Sequence, residues 1–112
     1  MNGNFNHVLN LKGNNEVDAR GWLIWDPDDE SAEITVTVTQ NGSQGTEVIT
    51  CTRKHDDDDP NDTWKAPVSA DNDGKFVYGS ANGEAEAIVT KKSGTGAPYE
   101  YYWLATPPVQ LK

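Results

Sequence analysis

The sequence predicts an all-β fold: an antiparallel β-sandwich of seven or eight short strands, immunoglobulin-like or a related Greek key, with a small barrel as the alternative. Three observations lead there. The run 32–42, A-E-I-T-V-T-V-T-Q-N-G, alternates Ile34, Val36 and Val38 with Thr35, Thr37 and Thr39. A period of two places the aliphatic residues on one face and the hydroxyls on the other, and β-branched side chains suit a pleated surface. Clusters of Gly, Asn, Asp and Pro return at spacings of about 8–12 residues, as in sandwiches and barrels. No segment carries a convincing helical repeat. Uneven strand lengths and frequent Pro-marked edges favour the sandwich over the barrel.

The elements follow in order. Residues 5–12 form the opening strand, with Phe5, His7, Leu9 and Leu11 on one face, and Gly13-Asn14-Asn15 turns the chain. Residues 19–26, A-R-G-W-L-I-W-D, place Trp22 and Ile24 on one side and Leu23 and Trp25 on the other. A strand apolar on both faces is either covered twice or carries a binding patch. Pro27 stops it, and the acidic turn 28–31 leads into the Thr-rich strand. A five-residue loop, 41–45, joins that strand to 46–54, giving the most secure hairpin. The segment 55–62, H-D-D-D-D-P-N-D, is a loop, because adjacent carboxylates repel and Asp disfavours a sheet. Residues 63–70 contain Pro67 and read as an edge or bent strand. Asp71-Asn72-Asp73-Gly74 is a tight turn with positive φ expected at the glycine. A short strand 76–78, a turn 80–83, strand 84–92, the aromatic strand 98–106 and a terminal strand 109–111 complete the chain.

A length of 112 residues fits a single domain spanning 1–112. Eighteen Asp and Glu against nine Lys and Arg give a formal charge of −9. Such a domain repels nucleic acid and anionic membrane surfaces, so neither is expected as a partner. The single cysteine, Cys51, excludes an internal disulfide and reads as a small buried hydrophobe in V-I-T-C-T. The opening residues M-N-G-N-F-N-H have no basic segment followed by an apolar core, and no run approaches a membrane span. The compartment stays open.

Nucleophilic catalysis needs a nucleophile beside a base. Only His7 and His55 are available: His7 reads as a packed or rim residue, and the four aspartates after His55 favour its protonated form. No nucleophile elbow, zinc-protease motif or phosphate loop occurs. A non-catalytic binding module is therefore the expectation. Its partner, protein or carbohydrate, would meet Trp and Tyr side chains that a one-sided core cannot absorb. Trp25, Tyr99 and Tyr102 are the expected exposed members. Three acidic turns (Asp26/Asp28/Asp29/Glu30, Asp56–Asp59 with Asp62, and Asp71/Asp73) also suit a hard cation, since calcium takes several oxygen ligands. A calcium-binding module using Asp57, Asp59 and Asp62 is the first alternative. An acidic inhibitor of a basic protein and a small two-carboxylate hydrolase are the others. Zinc is excluded for want of His and Cys.

Overall fold

The alternating stretches are strands along most of the chain. The computed structural model describes residues 1–54 and 59–112. Nine strands follow in order: β1 (Asn2–Phe5), β2 (Val8–Lys12), β3 (Glu16–Ile24), β4 (Asp29–Gln40), β5 (Ser43–Thr52), β6 (Asn61–Ser69), β7 (Gly79–Lys91), β8 (Tyr99–Leu104) and β9 (Val109–Leu111). There is no helix among the described residues, and so none long and apolar enough to cross a membrane.

The strands form two layers in an all-β, sandwich-like fold. In the front layer β3 is central. β6 pairs with it along its whole length, from Glu16↔Ser69 to Ile24↔Asn61. β1 and β2 lie in tandem on its other edge. In the back layer β4 runs between β5 and β7, and β8 lies on the far edge of β7. β9 continues in tandem along that edge of β7 and pairs parallel to β2, so hydrogen bonds run from one layer into the other. On the opposite side Gly45 bridges Ala70. The strands do not close into a barrel.

Alternation fills the space between the layers. Val17, Ala19 and Leu23 of β3 face Ile34, Val36 and Val38 of β4 and Ala85, Ala87 and Val89 of β7, all buried. Aromatic rings close one side of this core. Phe5 meets Trp64 edge-on at 5.0 Å and 88°, and Trp64 lies 6.4 Å from Trp103, within the range where such pairs attract. The outer strands are defended against further pairing. Pro67 lies in β6 opposite Asp18, as an edge strand permits. Glu47 of β5 stands opposite the core residue Val36 and points inward, half-buried; an inward charge at an edge discourages an added strand.

Several expectations are corrected. The opening strand is two strands, and the first begins at Asn2 rather than Phe5. At Asn6-His7 the backbone changes partner: Asn6 N–H donates to Arg20 O, while His7 O accepts from Gln110 of β9, both at 2.8 Å. His7 is exposed at this break. Among the described residues the strand count is nine, and one pairing, β2 with β9, is parallel. The loop 41–45 contracts to a two-residue turn with positive φ at Asn41 (48°) and Gly42 (83°), the geometry that matches strand twist in a tight hairpin. Residues 76–78 are not a strand. Phe76 is buried in a connection, and the Gln40 side chain binds the backbone there, accepting from Val77 N–H at 2.8 Å and donating to the carbonyls of Val77 and Ser80 at 2.9 and 3.1 Å. The expected turn 80–83 belongs to β7, where a Cβ on Gly83 would stand 2.9 Å from the Phe5 ring. In the turn 71–74 the positive φ values fall on Asn72 and Asp73 (54° and 59°) rather than on Gly74; Asn and Asp tolerate that region better than other side-chain-bearing residues.

Candidate functional site

Strand β3 orders its side chains by parity. Val17, Ala19, Gly21 and Leu23 face the core, which leaves Asp18, Arg20, Trp22 and Ile24 on the outer face of the front layer. Trp25, just past the strand, shares the inward parity. It is 3% exposed, and its Nε1–H donates to Asp62 Oδ2 at 3.4 Å. The expectation of an exposed Trp25 is therefore corrected: the outward tryptophan of the pair is Trp22, 37% exposed. Trp64 and Trp103 are buried like Trp25.

The register sets the surroundings of Trp22. Asn4 of β1 and Thr63 of β6 lie directly opposite it on either side. One row along, Ile24 lies between Asn2 and Asn61. One row the other way, Arg20 lies opposite Lys65. A large ring thus sits among short amide and hydroxyl side chains, a combination of stacking area and polar groups. Part of that polarity is engaged locally: Asn2 Oδ1 accepts from Gly3 N–H and Tyr101 O–H, Asn4 Oδ1 from Phe5 N–H, and Asn61 Nδ2 donates to Asp59.

Beneath the Arg20 end lies a carboxylate the acidic turns did not foretell. Asp18 is 3% exposed although it belongs to the outer face. Its Oδ2 accepts from Arg20 Nε at 3.1 Å and from Nη2 at 2.9 Å, with Lys12 Nζ at 4.0 Å. Its Oδ1 is buried without a hydrogen-bond partner among the described residues. Arg20 itself remains half-exposed, so its fork is anchored at one edge and open at the other.

The other expected binding residues lie elsewhere. Tyr99 is half-buried at the end of the sandwich where β4 begins. Its hydroxyl donates to the Asp29 carboxylate at 2.8 and 2.9 Å and accepts from the Met1 amino group at 2.8 Å. That amino group also meets Asp26 at 2.9 Å. Burial, then the hydrogen bond and charge of Asp29, push the phenol well above its ordinary range. Asp29 is fully buried, so with Asp18 it corrects the expectation that aspartates keep to the connections. Tyr102 is 55% exposed on the outer face of the back layer. It donates to Glu84 Oε2 at 2.9 Å, and that bond holds its phenol above the ordinary value. Glu33, Glu84, Glu86 and Glu100 share this face with Tyr102, Leu104 and the threonines of β4. No outward position of β4, β5, β7 or β8 is Lys or Arg. A shallow cavity of about 400 Å³ opens there between Thr39, Asn82, Gly83, Glu84, Leu104 and Ala105. Trp25, Tyr99 and Tyr102 are thus not brought together.

Of the expected calcium ligands, Asp57 lies outside the described residues, as does His55. Asp59 Oδ1 accepts from both the backbone N–H and the side chain of Asn61, which lowers its pKa. Asp62 divides its oxygens between Trp25 and the Thr63 N–H. Among the described residues no group of three or more His, Cys, Asp or Glu is placed to hold a metal ion. Cys51 is half-buried, and burial followed by the Asp62 charge raises its thiol pKa, so the thiolate is disfavoured.

Comparison of the chain with protein-family models, with curated proteins and with solved structures finds no match. The functional reading therefore rests on the geometry. Reasoning from sequence missed Trp22 as the outward member, and with it Asp18, Arg20 and Lys65. The signal was within reach: carrying the parity of Leu23 back to Val17 places two charged residues on Trp22's face.

Proposed function

We propose that this chain is a non-catalytic binding module that holds carbohydrate on the outer face of its front layer, with Trp22 as the platform. One observation carries the reading. Trp22 alone among four tryptophans stands outward, at the middle of a sheet face whose flanking positions are Asn2, Asn4, Asn61 and Thr63. Sugar rings pair an apolar face with a hydroxyl rim, so an aromatic surface bordered by amides and hydroxyls meets both. Strands supply the site, and binding would cost little ordering.

Affinity electrophoresis through gels containing soluble polysaccharides tests the proposal. The parent should be retarded by at least one of them. Trp22→Ala should migrate as in the empty gel while keeping its far-ultraviolet dichroism and most of its thermal midpoint. Equal retardation of the two proteins would refute it. The four-glutamate back face supports a second reading, a basic protein partner. That reading predicts binding that weakens steeply with salt and ignores Trp22→Ala.

A further inference from the structure

Three of the nine Lys and Arg of this acidic chain stand on the proposed ligand face. Lys12, Arg20 and Lys65 lie on the outer face of the front layer, against Asp18 and Glu16. On the outer face of the back layer four strand positions are glutamates, and no outward position of β4, β5, β7 or β8 is Lys or Arg. Arg20 and Lys65 stand directly opposite each other across the β3–β6 ladder. Like charges in that relation destabilise a sheet. Asp18 neutralises Arg20 through two bonds to a single oxygen, whereas no ion pair reaches Lys65 among the described residues. The pair therefore keeps a net positive charge among the described residues, one row from the Trp22 ring.

We propose that the polysaccharide is acidic: a sugar ring stacks on Trp22 and its acid group sits between Arg20 and Lys65. This rests on the carbohydrate reading above and names the class of ligand. Asp18 acts as a positioning residue. By occupying Nε and Nη2 it leaves the remaining guanidinium donors for an incoming carboxylate or sulfate. Lys65 adds an exposed ammonium diagonal to Trp22, within about 7–8 Å backbone to backbone, close to the width of one sugar ring. The overall charge of −9 does not forbid this. At about 0.15 M salt, charges beyond roughly 8 Å are screened, and the local cations dominate.

The test uses the intact chain with polygalacturonate, dextran sulfate, neutral dextran and polyglutamate as separate arms of one affinity measurement. Lys65→Gln is the informative variant, since it removes an exposed charge that has no ion pair among the described residues and relieves a repulsion. Its thermal midpoint should equal or exceed the parent's. The parent should prefer an acidic polysaccharide to dextran by about tenfold. Lys65→Gln should remove most of that preference, as should 0.5 M salt, while binding of dextran stays unchanged. Whichever of polygalacturonate or dextran sulfate is retained identifies the acid as carboxylate or sulfate. Equal binding of dextran and both acidic polymers, indifferent to Lys65→Gln but lost in Trp22→Ala, would overturn the acidic assignment and leave the carbohydrate reading standing. Polyglutamate binding as tightly as the polysaccharides, with Trp22→Ala without effect, would overturn both.

Discussion

Gly21→Ala sets two physical effects against each other. Gly21 lies in mid-strand with ordinary backbone angles, where alanine relieves the entropic cost of glycine. On that ground the variant should be more stable by about 0.5–1 kcal/mol. Sterics argue the other way. A Cβ at this position would stand 2.1 Å from the Asn4 carbonyl oxygen and 2.4 and 2.5 Å from two Trp64 ring atoms. Neither neighbour yields cheaply. The Asn4 backbone belongs to the β1–β3 ladder, and Trp64 is fixed between Phe5 and Trp103. Overpacking of this kind costs about 1–3 kcal/mol, and each ladder hydrogen bond lost adds about 1 kcal/mol. The net expectation is destabilisation by about 2–4 kcal/mol, a large part of the roughly 5–15 kcal/mol that holds a domain together. Urea unfolding followed by far-ultraviolet dichroism measures it, provided that the slope is unchanged. A midpoint at or above the parent's would refute the close approach of β1 and Trp64 over β3.

Two further outcomes follow from buried polar contacts. Gln40→Leu strands the N–H of Val77 and two carbonyls that the amide now satisfies, and should cost about 2–4 kcal/mol in thermal or urea unfolding; a change under about 0.5 kcal/mol would mean that water replaces the amide at no loss. Burial and Asp29 raise the phenol pKa of Tyr99 in the folded state, so its contribution is complete below the ordinary phenol value of about 10 and is lost as pH rises towards the folded value. Unfolding measured from pH 8 to pH 11.5 should show stability falling above about pH 10, with a shallower fall in Tyr99→Phe; parallel curves would place Tyr99 outside this linkage.

Layering and most strands were legible because their side chains obey a period of two over long stretches. Ile34, Val36 and Val38 needed no more than that. The failures are local, and each has a cause. Phe76 is apolar because it is buried in a connection, and in a sequence burial without periodicity is indistinguishable from a short strand. Asn6 and His7 preserve alternation through a point where the backbone passes from β3 to β9, a change of hydrogen-bond partner that side-chain pattern does not record. Gly83 looked like a turn residue because proximity to the Phe5 ring and freedom of φ demand the same amino acid. The site suffered most. Starting the strand at Ala19 left Trp22 and Trp25 looking equivalent. The burial of Asp18 depends on Arg20 and Lys12 folding over it, which requires knowing that β2 lies alongside β3.

The front layer's outer face collects choices that work against stability. Asp18 loses hydration there and keeps one oxygen without a partner among the described residues, a cost its ion pair need not recover. Arg20 and Lys65 repel across the ladder. Trp22 and Ile24 leave more than a third of their surface in water, on the same side of the same strand. The back layer also leaves Val48, Ile88, Tyr102 and Leu104 in water, but sets them among threonines on β4 that suit a solvated pleat and a Thr37–Thr46 hydroxyl pair at 3.2 Å. Chains that are locally consistent elsewhere break these rules mainly where something must be bound. What sets the front face apart is that a buried carboxylate, a facing Arg20–Lys65 pair and an outward tryptophan meet on one strand and its neighbours, and that conjunction, rather than apolar exposure alone, is the ground on which the carbohydrate proposal stands.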